Sequence, residues 1–457
     1  MTNKFKTIIM VVAVMFTVYA CVDKDNQGSW TADKDIIWKH NFGGLSDDQF
    51  NSIIAVSGGY VTVGESGGNS FGNGDWKGVT GNGLDDAIIV KYSNDGNIVW
   101  KNYFGGESYD RFLSVTAVTD GIVAAGYSND IRGGDWAGVA GNGENDAIVV
   151  KYSNDGNVVW KKNFGGSRDD QFRAIIAVPG GVVAAGYSVS ASFNTGDWAD
   201  VKQKGSKDAI IVKFDDNGNV VWKKNFGSTW YNSFHSLTAV PDGIVAVGES
   251  EYGGGDWEDV PDNGRFDAIV VKFDHSGNVV WKKRFGGADK DAFNSVTAVS
   301  DGVVAAGYSY SLSFNTGDWT GVEGKSDERE DAIIVKFDND GNVVWKKHFG
   351  SSGKEVFLSV TAVSGGIIAA GHTVSILNDG DLEGLPFAGG LVVAYDHSGN
   401  VIWKKRSGCG PNEELLSVTA ASDVIVTAGF SPDFGKGDWK GAKGKGRTDA
   451  TVVAYKK

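Results

Sequence analysis

Three sets of side chains in this chain have the types and the spacing to do chemistry. The first is an acid placed two residues before a Phe or its Leu equivalent: Asp48, Asp110, Asp170, Asp291, Glu355 and Glu413, with Asn232 in the corresponding fourth place. If these residues open a strand that lines a channel, they form a nearly complete acidic ring at its mouth, able to concentrate cations. The competing reading is turn capping by short acidic side chains. The second set is a Gly-Asp-Trp triplet ending at Trp76, Trp136, Trp198, Trp257, Trp319 and Trp439, with Gly380-Asp381-Leu382 in the sixth place. Indole rings along one rim could stack on sugar rings or grip aromatic partners. Equally, each could pack down and pin its own loop, and faithful repetition favours that role, since a ligand rarely needs one contact many times over. The third set is Trp230 and Tyr231, with His235 close behind, where a Gly-rich connection gains two adjacent aromatics. Departures from a repeat are where an asymmetric ligand binds, and also where drift accumulates.

Other reactive groups form no recognisable constellation. The six histidines, His40, His235, His275, His348, His372 and His397, show no metal-ligand spacing with Cys or Asp. No nucleophile elbow, phosphate loop or zinc motif is present, so neither an enzyme nor a cofactor is expected. Asp215-Asp216-Asn217-Gly218-Asn219 has some of the acids of a calcium loop but lacks the closing bidentate Glu. A tight turn explains it. Of the two cysteines, Cys409 reads as a loop substitution and Cys21 directly follows an N-terminal leader.

The elements that must position these residues repeat. A strand-like Trp recurs at Trp38, Trp100, Trp160, Trp222, Trp281, Trp345 and Trp403, every 58 to 64 residues. Each unit holds four short segments rich in Val, Ile and aromatics, bounded by Gly, Asn and Asp: the Trp segment (Asn157 to Phe164), one of the type Phe172-Arg173-Ala174, one of the type Gly181 to Ser188, and one of the type Asp146 to Tyr152. That is strand chemistry. The last two are nearly continuous apolar runs, so both faces should be covered. Asn154-Asp155-Gly156-Asn157 and Asp120-Gly121 read as hairpin turns. Seven four-stranded antiparallel units with both faces buried describe an all-β, seven-bladed β-propeller. Residues 35–42 supply a Trp strand with no partner before it, and residues 449–455 a strand with no Trp strand after it. The N-terminal strand should therefore complete the last blade and close the ring. Lysine pairs such as Lys161-Lys162 and Lys346-Lys347 then fall on the outermost strands, where charge discourages edge-to-edge pairing.

The units resemble the bacterial seven-bladed β-propeller repeat of secreted and surface proteins. The resemblance rests on Gly186-Tyr187-Ser188, on Asp208-Ala209-Ile210-Ile211-Val212-Lys213 and on Phe164-Gly165-Gly166, and it covers residues 35–457. It implies the fold and leaves function open. A weaker similarity to quinoprotein-type propellers rests on Asp338, Gly341 and Trp345. The Thr of that motif is missing and the Gly comes one residue early, so no quinone follows.

A net charge of -14 argues against binding a phosphate backbone, so no nucleic-acid partner is expected. Lys4 and Lys6 precede an apolar run from Ile8 to Tyr19, which ends at Cys21. This is a secretory signal in outline and resembles a bacterial lipoprotein signal, with Val18 and Tyr19 departing from the usual residues. The resemblance implies a leader over 1–20, acylation of Cys21 and a polar tether over 21–34; ordinary secretion or an uncleaved anchor is the alternative. The reading is a membrane-anchored, extracytoplasmic propeller, expected to be a monomer, that binds a glycan or protein on the face carrying its long links. An envelope-assembly scaffold with protein partners only is a second reading, and a polysaccharide hydrolase or lyase at the acidic mouth a third.

Overall fold

A computed structural model describes residues 35–129, 131–326, 329–375, 379–385, 389–408, 410 and 412–457. The expected leader, Cys21, the tether, Cys409 and residues 376–378 and 386–388 of the sixth blade's long link lie outside the described residues. The described chain forms seven four-stranded antiparallel sheets. Six are built from consecutive strands, blade one for example from Asp48–Val56, Gly59–Gly67, Asp85–Ser93 and Ile98–Phe104. The seventh takes Glu414–Ala421, Val424–Ser431 and Asp449–Lys456 from the C-terminus and Ile36–Phe42 from the N-terminus. Phe42 pairs with Ala450 and Trp38 with Ala454, so the two ends of the chain close the ring as the sequence predicts. Apart from short 3-10 turns the described residues are strand and loop, and no helix among them is long and apolar enough to cross a membrane.

The core lies between blades. Ile88 and Val90 pack toward blade seven, whereas Ala87 and Ile89 pack toward blade two. Alternate residues of one strand thus enter two different interfaces, which is why these segments read as unbroken apolar runs. The first strands of neighbouring blades touch one another around the ring and are innermost. Each carries a bulge just after its Phe or Leu: the register shifts between Phe50 and Ser52, Phe112 and Ser114, Phe172 and Ala174, Phe234 and Ser236, Phe293 and Ser295, Phe357 and Ser359, and Leu415 and Ser417. A bulge leaves one residue outside the ladder and re-aims its side chain. In five blades the serine after it serves the next blade. Ser114 Oγ accepts the Ile175 amide at 3.1 Å, and Ser417 does the same for Ile53 across the ring closure.

Outside the inner strands, the periphery is latched as well. Trp100 Nε1 donates to the Asn154 carbonyl at 3.1 Å, tying the outer strand of blade one to a turn of blade two. Trp38 makes the corresponding bond to Asn94 at 2.9 Å, from blade seven to blade one.

Candidate functional site

The repeated acids do not line an open mouth. Asp48, Asp110, Asp170, Asp291, Glu355 and Glu413 are all buried. Each of the first five accepts the backbone amide four residues earlier, as Asp170 Oδ2 does from Gly166 at 2.8 Å. The Asp of each Gly-Asp-Trp triplet takes the amide just before that one. Asp197 Oδ2, for instance, accepts Gly165 N at 3.0 Å, while its own amide donates to the Gly165 carbonyl at 2.8 Å. Two carboxylates thus clamp the Phe-Gly-Gly turn that joins one blade to the next. The turn needs glycine: Gly165 has φ of 156°, and a Cβ there would lie 2.5 Å from Asp170 Oδ2. Turn capping, not cation concentration, is the role the geometry gives the acids.

The six triplet tryptophans are 0–1 % exposed and cannot stack on an external ring, which corrects the rim reading of Trp76, Trp136, Trp198, Trp257, Trp319 and Trp439. Trp198 meets Phe164 of the preceding blade edge-on at 4.9 Å and donates Nε1 to Asp170 Oδ1 at 3.0 Å. Leu382 fills the same place in blade six. Trp257 differs: its Nε1 has no hydrogen-bond partner among the described residues. Blade four carries Asn232 instead of an acid, and its one acceptor oxygen is already taken by Ser228 N and Ser250 Oγ. The Arg284 guanidinium lies over the Trp257 ring at 4.9 Å. The lysine pairs also have a job beyond edge protection. The first lysine of each pair, such as Lys161 or Lys346, donates to the carbonyl of the Gly-Asp-Trp Asp in its own blade. Asp215 is an Asx turn, accepting Asn217 N at 2.9 Å and Asn219 N at 2.7 Å. Among the described residues no group of three or more His, Cys, Asp or Glu is placed to hold a metal.

With these residues assigned to the scaffold, the candidate site is where the blades differ. The bulge residues are Asn51, Leu113, Arg173, His235, Asn294, Leu358 and Leu416, one from each blade, and all seven line a central cavity of about 420 Å³ together with Tyr127 and Gln171. Arg173, His235 and Asn294 sit on consecutive blades, as do Leu358 and Leu416, so the cavity has a polar side and an apolar side. Asn51 Nδ2 donates to Phe112 O at 2.9 Å and Asn294 Nδ2 to Phe357 O at 2.9 Å. His235 Nδ1 stands 3.1 Å from Phe293 O. A carbonyl only accepts, so Nδ1 carries the proton and Nε2 the lone pair. Burial, reinforced by the nearby Arg173 charge, pushes the His235 pKa down to about 4, which keeps the ring neutral. Its Nε2 has no hydrogen-bond partner among the described residues and lies 3.9 Å from Glu249 Oε1.

Variable residues continue upward from the cavity. Opposite the residue that follows each acid stand Glu65, Tyr127, Tyr187, Glu249, Tyr308, His372 and Phe430. Tyr231 joins this belt, its ring 5.9 Å from Phe266 and under the Lys207 ammonium at 4.4 Å. Trp230 does not line the cavity. It is 52 % exposed on the outer rim, edge-on to Tyr252 at 5.9 Å. The third set of sequence candidates is therefore split between the rim and the channel.

No family model and no curated protein matches the chain. Among solved structures it is similar to the WD40 β-propeller domain of Doa1, 10 % identical over 93 % of this chain and 97 % of that one, with a TM-score of 0.48. It is also similar to the WD40 domain of Neurospora crassa Pan2, 11 % identical over 89 % of each chain at 0.47. A third is Chaetomium thermophilum Sqt1 bound to the N-terminus of ribosomal protein L10, 11 % identical over 91 % of this chain and 98 % of that one at 0.46. Nothing about a ligand follows from likenesses this distant.

Sequence reading missed the bulge ring, although a signal was available. In the near-constant inner strand, the residue after the Phe or Leu is Asn, Leu, Arg, His, Asn, Leu and Leu in turn. A position that varies inside an otherwise fixed repeat has been released from the packing that fixes its neighbours.

Proposed function

We propose that this chain is a binding propeller whose ligand site is the channel mouth on the face of the long links. The observation that carries the reading is the bulge ring: blades held alike by clamps, latches and interlocked cores present seven side chains of different chemistry to one cavity. The lipoprotein resemblance of the leader supports a membrane-anchored, extracytoplasmic protein held by acylated Cys21, within the bacterial propeller-repeat family. The hydrolase or lyase reading loses the acids it rested on, since those carboxylates are committed to backbone amides. A plug tests the site. Leu416→Trp adds bulk on the apolar side without removing a polar contact, so it should abolish binding of any ligand found on a glycan and protein array while leaving the melting temperature within about 3 °C. Unaltered binding by a folded plug variant would move the site out of the channel.

A second reading, a scaffold for protein partners, is favoured by the outer rim. Leu45, Leu84, Tyr109, Trp230, Tyr252 and Leu312 are exposed on the loops of that face. Exposed apolar and aromatic residues on loops are the material of protein interfaces. Here Trp230→Ala should weaken partner binding and the plug should not.

A further inference from the structure

The charges around the mouth are not equally committed. Arg111 pairs with Glu65 and with Asp85, both at 3.5 Å; Lys290 pairs with Glu249 at 3.2 Å and Lys354 with Glu330 at 3.0 Å. Arg173 and Lys207 pair with no carboxylate among the described residues. Both rest on the face of Tyr187, at 5.2 and 3.7 Å, and Lys207 also lies against Tyr231. The other polar bulge residues are used on the neighbouring blade, Asn51, His235 and Asn294 each meeting a carbonyl. The guanidinium of Arg173 donates to no described residue. A protein of net charge -14 thus keeps two cations side by side, with Asp169 and Glu249 near Lys207 but no described carboxylate in ion-pair contact with either. Burial, chiefly, and the Arg173 charge bring the Lys207 pKa down to about 8.

Next to this pair are two acceptors that face each other, His235 Nε2 and Glu249 Oε1. An occupant of this corner must therefore bring negative charge to Arg173 and Lys207 and a hydrogen-bond donor to His235 and Glu249. A fully ionised phosphate monoester group brings acceptors only. A uronic acid brings a carboxylate, which matches the planar guanidinium fork, and hydroxyl donors on the same rigid ring, which limits the entropy lost on binding. Leu358 and Leu416 offer an apolar wall to the sugar's C–H face. On the reading of the channel mouth as a binding site, we propose that it takes a uronate-bearing acidic saccharide, with the carboxylate on Arg173 and Lys207 and a hydroxyl on His235 Nε2.

The test uses the purified full-length chain and calorimetric titration with trimers of galacturonate, glucuronate and mannuronate. Carboxyl-reduced forms of the same trimers and a capped triglutamate peptide serve as comparisons. A uronide should bind, its reduced form and the peptide should bind at least tenfold more weakly, and Arg173→Gln and Lys207→Gln should each cost at least tenfold in affinity. Because each side chain gives up only a ring contact and no ion pair or hydrogen bond, both variants should lose no more than about 1–2 kcal/mol of stability and stay fully folded at the titration temperature, which separates a ligand role from a structural one. Equal binding of reduced trimers that is lost in Leu416→Trp would overturn the charge assignment and leave the channel reading standing. A peptide bound as tightly as the uronides would overturn the saccharide class. Uronide binding indifferent to all three substitutions would overturn both, and no binding of any uronide would overturn this inference alone.

Discussion

Trp198→Ala should destabilise the protein by about 3–5 kcal/mol, the range for removing a large aromatic from a packed core. The ring is fully buried, meets Phe164 of the preceding blade edge-on and Phe193 of its own loop at 5.2 Å, and donates to Asp170. Its loss opens a cavity at a blade interface and leaves one acceptor position of a buried carboxylate empty. Because the tryptophan spans two blades, the damage should spread to the neighbour and broaden the transition. Trp230→Ala is the control, a half-exposed ring whose removal should change stability by no more than about 0.5 kcal/mol. Chemical denaturation of both variants, followed by intrinsic fluorescence, checks the pair. Equal stabilities would mean that the triplet tryptophans are not the pins described.

The second large effect is one of pH. Burial pushes the Asp291 pKa up to about 7 and that of Glu413 up to about 8, with the Asp438 charge adding to the latter. In the unfolded chain both carboxyls ionise near pH 4. Between pH 4 and the raised value the folded state therefore holds protons that the unfolded chain has released, so stability falls as pH rises through that window. Below pH 4 both states are protonated and no slope remains from these groups. Lowering the pH from 8.5 to 6.5 should raise stability by on the order of 1 kcal/mol for each group. Below about pH 6.5 the gain is offset, since neutral buried His235 and His372 must be charged on unfolding. Asp291→Asn should cost less than about 1 kcal/mol near pH 6.5 and flatten the slope above it. Blade four already shows that an amide is accepted at this place, since Asn232 takes the Ser228 amide at 3.0 Å just as Asp291 takes that of Gly287 at 2.9 Å. Asp291→Ala should be far worse, because the Gly287 amide and the Ser313 hydroxyl lose their acceptor. Thermal melts from pH 5 to 9 read all three. A wild-type melting temperature that rises from pH 6.5 to 8.5 would show that the carboxylates are ionised and stabilising.

The repeat period, the four strands per unit, the covered sheet faces and the closing of the ring by the N-terminal strand were all legible in the sequence. These properties follow from local chemistry. Strand formers, turn residues and apolar runs carry their meaning over a few residues, and seven copies make the pattern plain. The same repetition hid the jobs of the repeated polar residues. An Asp two residues before a Phe looks the same whether it faces a channel or caps a buried turn; only the approach of the Phe-Gly-Gly turn from the neighbouring blade decides between them. A Trp in a Gly-Asp-Trp loop looks like a rim residue until the preceding blade supplies the Phe it packs against. His235 stood out in the sequence for its aromatic neighbours, but its place in the channel comes from a bulge that no local propensity announces. Composition and spacing thus determined the ring, because strand and turn preferences act between near neighbours. Contacts between blades decided which side chains are spent on holding it together and which, like Arg173, are left facing the channel, because burial and charge pairing depend on residues some sixty positions apart.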